Sequence, residues 1–156
     1  MKLADNRDLL LIDNEYAGWN PMAMDLAVYI NETMIDNSHP GPNGVKQYIE
    51  NYMDEHEQSR LICTYMKFYF DNYMPSQHKA IFQNDSKKYV NRYYDLLKKQ
   101  VWECAVLNNF FWGVWALALL NEDTCVKEGI FNFEFAMCRC NFFEKFTSLL
   151  KNNTTD

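Results

Sequence analysis

The sequence predicts a mainly α protein with one short strand, or the remnant of a hairpin, near its N-terminus. Three observations carry this expectation. Leu9, Leu10, Leu11 and Ile12 form a continuous apolar run, suited to a short strand covered on both faces. Beyond residue 20, apolar residues recur at i, i+3 and i+4 in one segment after another. The breaks between those segments are clusters of Pro, Gly, Asn, Asp and Ser.

In chain order, Ala17-Gly18-Trp19-Asn20 ends the strand pattern, and Asn20-Pro21 reads as an N-cap followed by a first-turn proline. The helix it opens, Asn20 to Ile35, places Met22, Leu26, Ile30 and Met34 on one stripe. Asp36 to Gly44, with two prolines and two glycines, is the clearest loop. Val45, Tyr48, Ile49 and Tyr52 then have the spacing of a short amphipathic helix. A longer helix is expected from Glu57 to Tyr73, burying Leu61, Tyr65, Phe68 and Tyr69 and ending at Pro75-Ser76. A segment carrying Ile81 leads to a break at Asn84-Asp85-Ser86, after which Tyr89, Tyr93, Leu96, Leu97 and Val101 resume helical spacing. Cys104 to Leu120 has no charged residue. A membrane span needs about 20 predominantly apolar residues. This run includes Asn108 and Asn109, so a central core helix is the reading. After a turn at Asn121 to Thr124, the last helix runs from Gly129 to Lys151, with Phe135, Cys138, Phe142, Phe146 and Leu149 in line and a fraying tail to Asp156.

The 156 residues suit a single domain, residues 1–156, with five or six helices and no internal repeat. At 16% aromatic, the core is expected to be filled by Phe, Tyr and Trp. A net charge of −6 argues against a nucleic-acid or anionic-membrane surface, which would need clustered Lys and Arg. Five cysteines with no Cys-x-x-Cys read as buried free thiols in a reducing, cytoplasmic setting. The three histidines show no zinc-ligand spacing.

The chemistry is concentrated in Leu9 to Glu32. Asp13 and Glu15, two apart in an extended backbone, point to one side and could meet one hard cation. Asp25 and Glu32 lie two helical turns apart on the following helix.

The stretch resembles the signature of the choline and ethanolamine kinases: a hydrophobic strand, then Asp13-x-Glu15-Tyr16, Asn20, Asp25 and Glu32 at the family's spacing. Val28, Tyr29 and Ile30 stand where the family usually has Asn-His-Phe. Asn109 to Trp115 resembles the family segment ending Phe-Trp-Gly-Leu-Trp. The resemblance implies the helical C-terminal lobe of a protein-kinase-like fold, shared with aminoglycoside phosphotransferases. It implies ATP-dependent phosphorylation of choline or ethanolamine, the first step toward phosphatidylcholine or phosphatidylethanolamine, with Mg²⁺ as the cofactor. Asp13 would be the catalytic metal-binding Asp, Glu15 would support the same metal, and Tyr16, Asn20 and Asp25 would brace the loops. Glu32 would lie at the substrate ammonium. Trp112 and Trp115, three apart on one helix face, would wall the choline pocket through cation–π contact, and Phe135 stands where the family has a pocket Tyr. Asn37 falls where choline kinases often carry another Tyr, so the cage is thinner.

A kinase of this type also needs a phosphate loop, a phosphate-pairing Lys and a catalytic loop. None is found in the sequence, so it is expected to be the C-terminal portion of such a kinase and inactive alone. The expected partners are an amino alcohol and ATP, with room for a homodimer of the full-length enzyme. Two rival readings stand beside this one: another aminoglycoside-phosphotransferase-like small-molecule kinase, and a non-catalytic helical binding module.

Overall fold

The computed structural model describes residues 18–41, 43–84, 86–120 and 126–153. The predicted strand at 9–12, the acids Asp13 and Glu15, Tyr16 and the turn at 121–124 lie outside them. Five α-helices are described: α1 (Met22–Glu32), α2 (Glu55–Asn72), α3 (Ser76–Asn84), α4 (Ser86–Ala118) and α5 (Val126–Asn153). Between α1 and α2 sits a two-stranded antiparallel hairpin, β1 (Ile35–Asp36) and β2 (Lys46–Gln47), followed by a 3₁₀ turn at Ile49–Asn51.

Helix α4 is the spine on which the others pack. Its 33 residues span about 50 Å at 1.5 Å per residue. It merges two segments that the sequence suggested separately, because neither Pro nor Gly interrupts 86–112. The one internal glycine, Gly113, is where α5 comes closest: a Cβ there would stand 3.5 Å from both Arg139 Cβ and Cys140 Sγ. Ala116 on α4 and Ala136 on α5 are both fully buried, so small side chains set this crossing.

Three apolar clusters hold the helices. Ala23, Leu26, Ala27 and Ile30 of α1 pack with Ile62 and Met66 of α2 and with Leu97, Val101 and Ala105 of α4. Met34, just past α1, joins Phe142 and Phe146 of α5, with Tyr52, Trp102 and Val106 against them. Val45 of the hairpin joins Ala116, Phe135 and Ala136, with Ile35, Trp112, Trp115 and Phe131 alongside. The predicted α1 stripe and most of the α5 stripe are therefore the buried faces, and the aromatic core is present: Tyr52, Trp102 and Phe146 meet with ring centroids 5.1–5.8 Å apart.

Several local expectations are corrected. Pro21, not Asn20, precedes α1 as its cap residue and makes no side-chain capping bond. Residues 45–52 form a strand and a 3₁₀ turn rather than a helix. Ile35 pairs with Gln47 and Asp36 with Lys46, and the Tyr48 N–H donates to Met34 O at 2.8 Å, so the backbone bonds go across the hairpin. Gly44 turns the loop at φ 70°, and a Cβ there would meet the Phe131 ring at 3.1 Å. A side chain is excluded on both counts. Helix α2 starts two residues earlier than expected because Asp54 and Glu57 form a reciprocal capping box. Its buried line is Gln58, Ile62 and Met66, while Phe68 faces out at 59% exposure. Gln58 tolerates burial because its amide donates to Met53 O at 2.6 Å. Of the four described cysteines, all free, Cys63 and Cys140 are exposed rather than buried.

Two outcomes follow from this packing. Phe142 is fully buried, so Phe142→Ala should lower unfolding free energy by about 3–5 kcal/mol in urea titrations. Burial pushes the Tyr52 phenol up to about 12, against a smaller lowering by the Gln58 side chain. The unfolded chain ionises this group near 10 while the folded chain does not. Stability should be unaffected by Tyr52 below pH 10 and should fall by roughly 2–3 kcal/mol as pH rises to about 12. Tyr52→Phe should flatten that alkaline loss.

Candidate functional site

The candidate site lies where the C-terminal end of α1, the middle of α4, the hairpin and α5 meet. Helix α1 ends at Glu32, whose side chain is 40% exposed. Facing it from α5 is Arg139, which is only 1% exposed. Its Nη2 donates to Glu32 Oε1 at 2.5 Å, across 107 positions of sequence. Its Nη1 donates to Asn109 Oδ1 at 3.3 Å, and its guanidinium carbon lies 4.8 Å from the centre of the Phe135 ring. A guanidinium removed from water in this way needs a countercharge, and among the described residues Glu32 supplies it.

A polar seam continues from this pair along the α1–α4 contact. Asn109 and Asn31 are fully buried and Asn108 nearly so. Asn109 Nδ2 donates to Ala105 O at 2.9 Å, which holds its Oδ1 ready for Arg139. Asn31 Nδ2 donates to both Ala105 O and Asn108 Oδ1 at 3.0 Å. Two buried atoms, Asn31 Oδ1 and Arg139 Nε, have no hydrogen-bond partner among the described residues.

Beside the pair stands an aromatic wall. Trp112 and Trp115 lie edge to face with ring centroids 5.2 Å apart, half-buried on the same cluster as Phe135. Phe135 stacks on Phe131 at 6.1 Å. The i, i+3 spacing of the two tryptophans on α4 puts both on the side facing α5 and the hairpin. An acid and aromatic faces thus belong to one neighbourhood, linked by direct contacts from Glu32 through Arg139 to Phe135 and its cluster.

The other predicted site residues fare differently. Asp25 is exposed in the first turn of α1, and its carboxylate contributes, after burial, to raising the Tyr65 phenol. Asn20 is exposed ahead of α1 and Asn37 is exposed in the hairpin loop. Asp13, Glu15 and Tyr16 lie outside the described residues, so their geometry as a metal site is not on view. Among the described residues there is no cluster of three or more His, Cys, Asp or Glu able to hold a metal ion, and no helix long and apolar enough to cross a membrane.

Arg139 and Asn31 are residues that sequence reading passed over, and Asn108 and Asn109 were noted only as polar breaks in an uncharged run. Arg139 had a signal: it falls four residues after Phe135, as a lone charge on the face that α5 buries.

Comparison with known proteins identifies the family. The family model described as choline/ethanolamine kinase matches residues 1–144. The chain is 29% identical over 110 residues to the ethanolamine kinase of Saccharomyces cerevisiae, covering 70% of this chain and 18% of that protein. It is 28% identical over 117 residues to human ethanolamine kinase 1, covering 75% of this chain and 22% of the relative. It is 23% identical over 116 residues to mouse choline kinase alpha, covering 73% and 23%. The matched part is thus a minor share of each relative's length. With a family match across most of its residues and a mainly helical structure of the kind such kinases use for one lobe, this chain belongs to the choline/ethanolamine kinase family.

Proposed function

We propose that this chain supplies the amino-alcohol pocket and the metal-binding Asp of a kinase that phosphorylates choline or ethanolamine with ATP. The observation that carries the reading is the gathering of Glu32, Phe135, Trp112 and Trp115 into one neighbourhood although they are distributed over about a hundred positions. An amino alcohol presents a cationic head and a hydroxyl. Carboxylate and aromatic faces suit the head, since a quaternary ammonium cannot donate hydrogen bonds and is bound best on indole faces. The half-buried tryptophans are wet enough to be reached and packed enough to be rigid.

Asp13 and Glu15, at the family's spacing, are the residues that would hold Mg²⁺. The ion would neutralise charge on the transferred phosphoryl group. The role of Glu32 and the aromatic residues is to fix the head so that the hydroxyl is presented to the phosphate, with water excluded by the indoles. The phosphate loop, phosphate-pairing Lys and catalytic base are not found among the 156 residues, so the nucleotide half of the reaction is assigned to other sequence. The similarity to an ethanolamine kinase and to choline kinase alpha supports an amino-alcohol acceptor.

The purified chain should bind choline or ethanolamine in calorimetry yet release no ADP from Mg-ATP above an Asp13→Asn control. Turnover lost in Asp13→Asn would show that the chain is catalytically complete, and absence of any amino-alcohol binding would remove the pocket assignment. A desolvated cation–π contact is worth about 2 kcal/mol, so Trp112→Leu or Trp115→Leu should weaken choline by roughly tenfold or more. Glu32→Gln should weaken both amino alcohols. It should also lower stability by about 2–3 kcal/mol, because the buried Arg139 loses its counterion. A Glu32→Gln chain as stable as the wild type would contradict the pairing.

A further inference from the structure

We propose that Arg139 is a specificity-determining residue. By holding Glu32 as its counterion, it shields the pocket's acid from hydrogen-bond donors and favours head groups bound through aromatic faces. The inference rests on the amino-alcohol reading of the site.

The starting point is that the Glu32 charge is already committed. Arg139 is 1% exposed, and the Glu32 carboxylate is its partner at 2.5 Å. The guanidinium cannot swing away to release the acid. Its Nη1 is tied to Asn109 Oδ1, Asn109 is itself tied to Ala105 O, and the guanidinium carbon lies 4.8 Å from the centre of the Phe135 ring. Gly113 of α4 faces the base of the Arg139 side chain, where an added Cβ would already stand 3.5 Å from Arg139 Cβ, and the side chain is only 1% exposed.

A cation arriving from the exposed side of Glu32 therefore meets half of a neutral pair. Oε1 is occupied by the guanidinium, and the positive charge behind it repels a second cation across the carboxylate. The two kinds of head group feel this differently. A primary ammonium draws its affinity from donating hydrogen bonds to carboxylate oxygens, and one of the two oxygens is taken. A trimethylated head has no N–H to donate, so it loses only the diffuse charge attraction and keeps its contact with the indoles. Arg139 thus tilts the pocket toward bulky, weakly hydrated cations.

The test is the ratio of dissociation constants for choline and ethanolamine on the purified chain. Calorimetry would be run on the wild type, Arg139→Met, Arg139→Gln and Arg139→Lys, with circular dichroism to confirm folding. Removing the guanidinium frees Oε1 for N–H donors, and a hydrogen bond to a charged group is worth enough that the ratio should move toward ethanolamine by roughly tenfold in Arg139→Met or Arg139→Gln. Arg139→Lys, which keeps the charge beside Glu32, should restore most of the wild-type ratio. Tetramethylammonium, which lacks both N–H and hydroxyl, should follow choline. Equal weakening of choline and ethanolamine would make Arg139 a purely structural residue, and so would unfolding of both neutral variants; either result overturns the proposal. A shift toward choline overturns it too. A wild-type chain that binds neither amino alcohol overturns the site reading first and the role of Arg139 with it. Wild-type binding with an unchanged ratio in the folded variants overturns the role of Arg139 alone.

Discussion

A guanidinium buried to 1% exposure is the most demanding single group among the described residues, and the arrangement of α1, α4 and α5 answers that demand. Removing an unpaired charge from water costs several kcal/mol even after the surroundings relax. The structure offsets this from three elements at once. Glu32 at the end of α1 brings the opposite charge, Asn109 on α4 brings an oriented acceptor, and Phe135 on α5 itself offers its ring face. Small residues make the convergence possible, since Gly113, Ala116 and Ala136 let α4 and α5 run close enough for Arg139 to be enclosed. Arg139 Nε stays without a partner among the described residues, so the burial is not fully compensated.

The same constraint organises the candidate pocket. Because Arg139 is fixed, Glu32 is fixed, and the acid sits where a helix ends and solvent begins. The hairpin closes the neighbourhood from the other side, with Ile35 and Val45 against the cluster that carries Trp112, Trp115 and Phe135. The seam of asparagines is a second consequence. Asn31 on α1 donates to both Ala105 O and Asn108 Oδ1 on α4, so α1 meets α4 in one register rather than sliding along an apolar face. Ridges of Leu, Ile and Ala would pack in several registers, whereas a polar pair in the core satisfies itself in one.

Much of this was legible in the residue order. Helical spacing is a local property, and the stripe Met22, Leu26, Ile30, Met34 marks the buried face of α1 because each turn repeats the same geometry. Pro75 and the Asn84-Asp85-Ser86 break mark helix ends for equally local reasons. The Asp13-to-Glu32 motif and the Phe-Trp-Gly-x-Trp segment pointed to the family that the comparison shows. Where local patterns were weak, reading by periodicity failed. Val45, Tyr48, Ile49 and Tyr52 have helical spacing, yet Lys46 and Gln47 pair with β1 and the Tyr48 N–H donates to Met34 O, ten to fourteen positions earlier, which no window of a few residues can reveal. Likewise the outward face of α2 carries Phe68, because the face it buries is chosen by α1 and α4 rather than by its own aromatic content.

Sequence alone therefore determined most of the helices and the buried face of α1, which follow from spacing along the chain, while the resemblance to the family singled out the acid at position 32 and the paired tryptophans. Only the tertiary structure decided that the acid is not a bare charge. A lone arginine on the apolar side of α5 is compatible with a snorkelling surface residue or a buried ion, and those differ in what stands opposite it. That partner lies 107 positions away, and burial of a charge depends on what the fold brings to it. Periodicity specifies which residues share a face. Desolvation, which makes Glu32 and Arg139 inseparable, exists only once the faces meet.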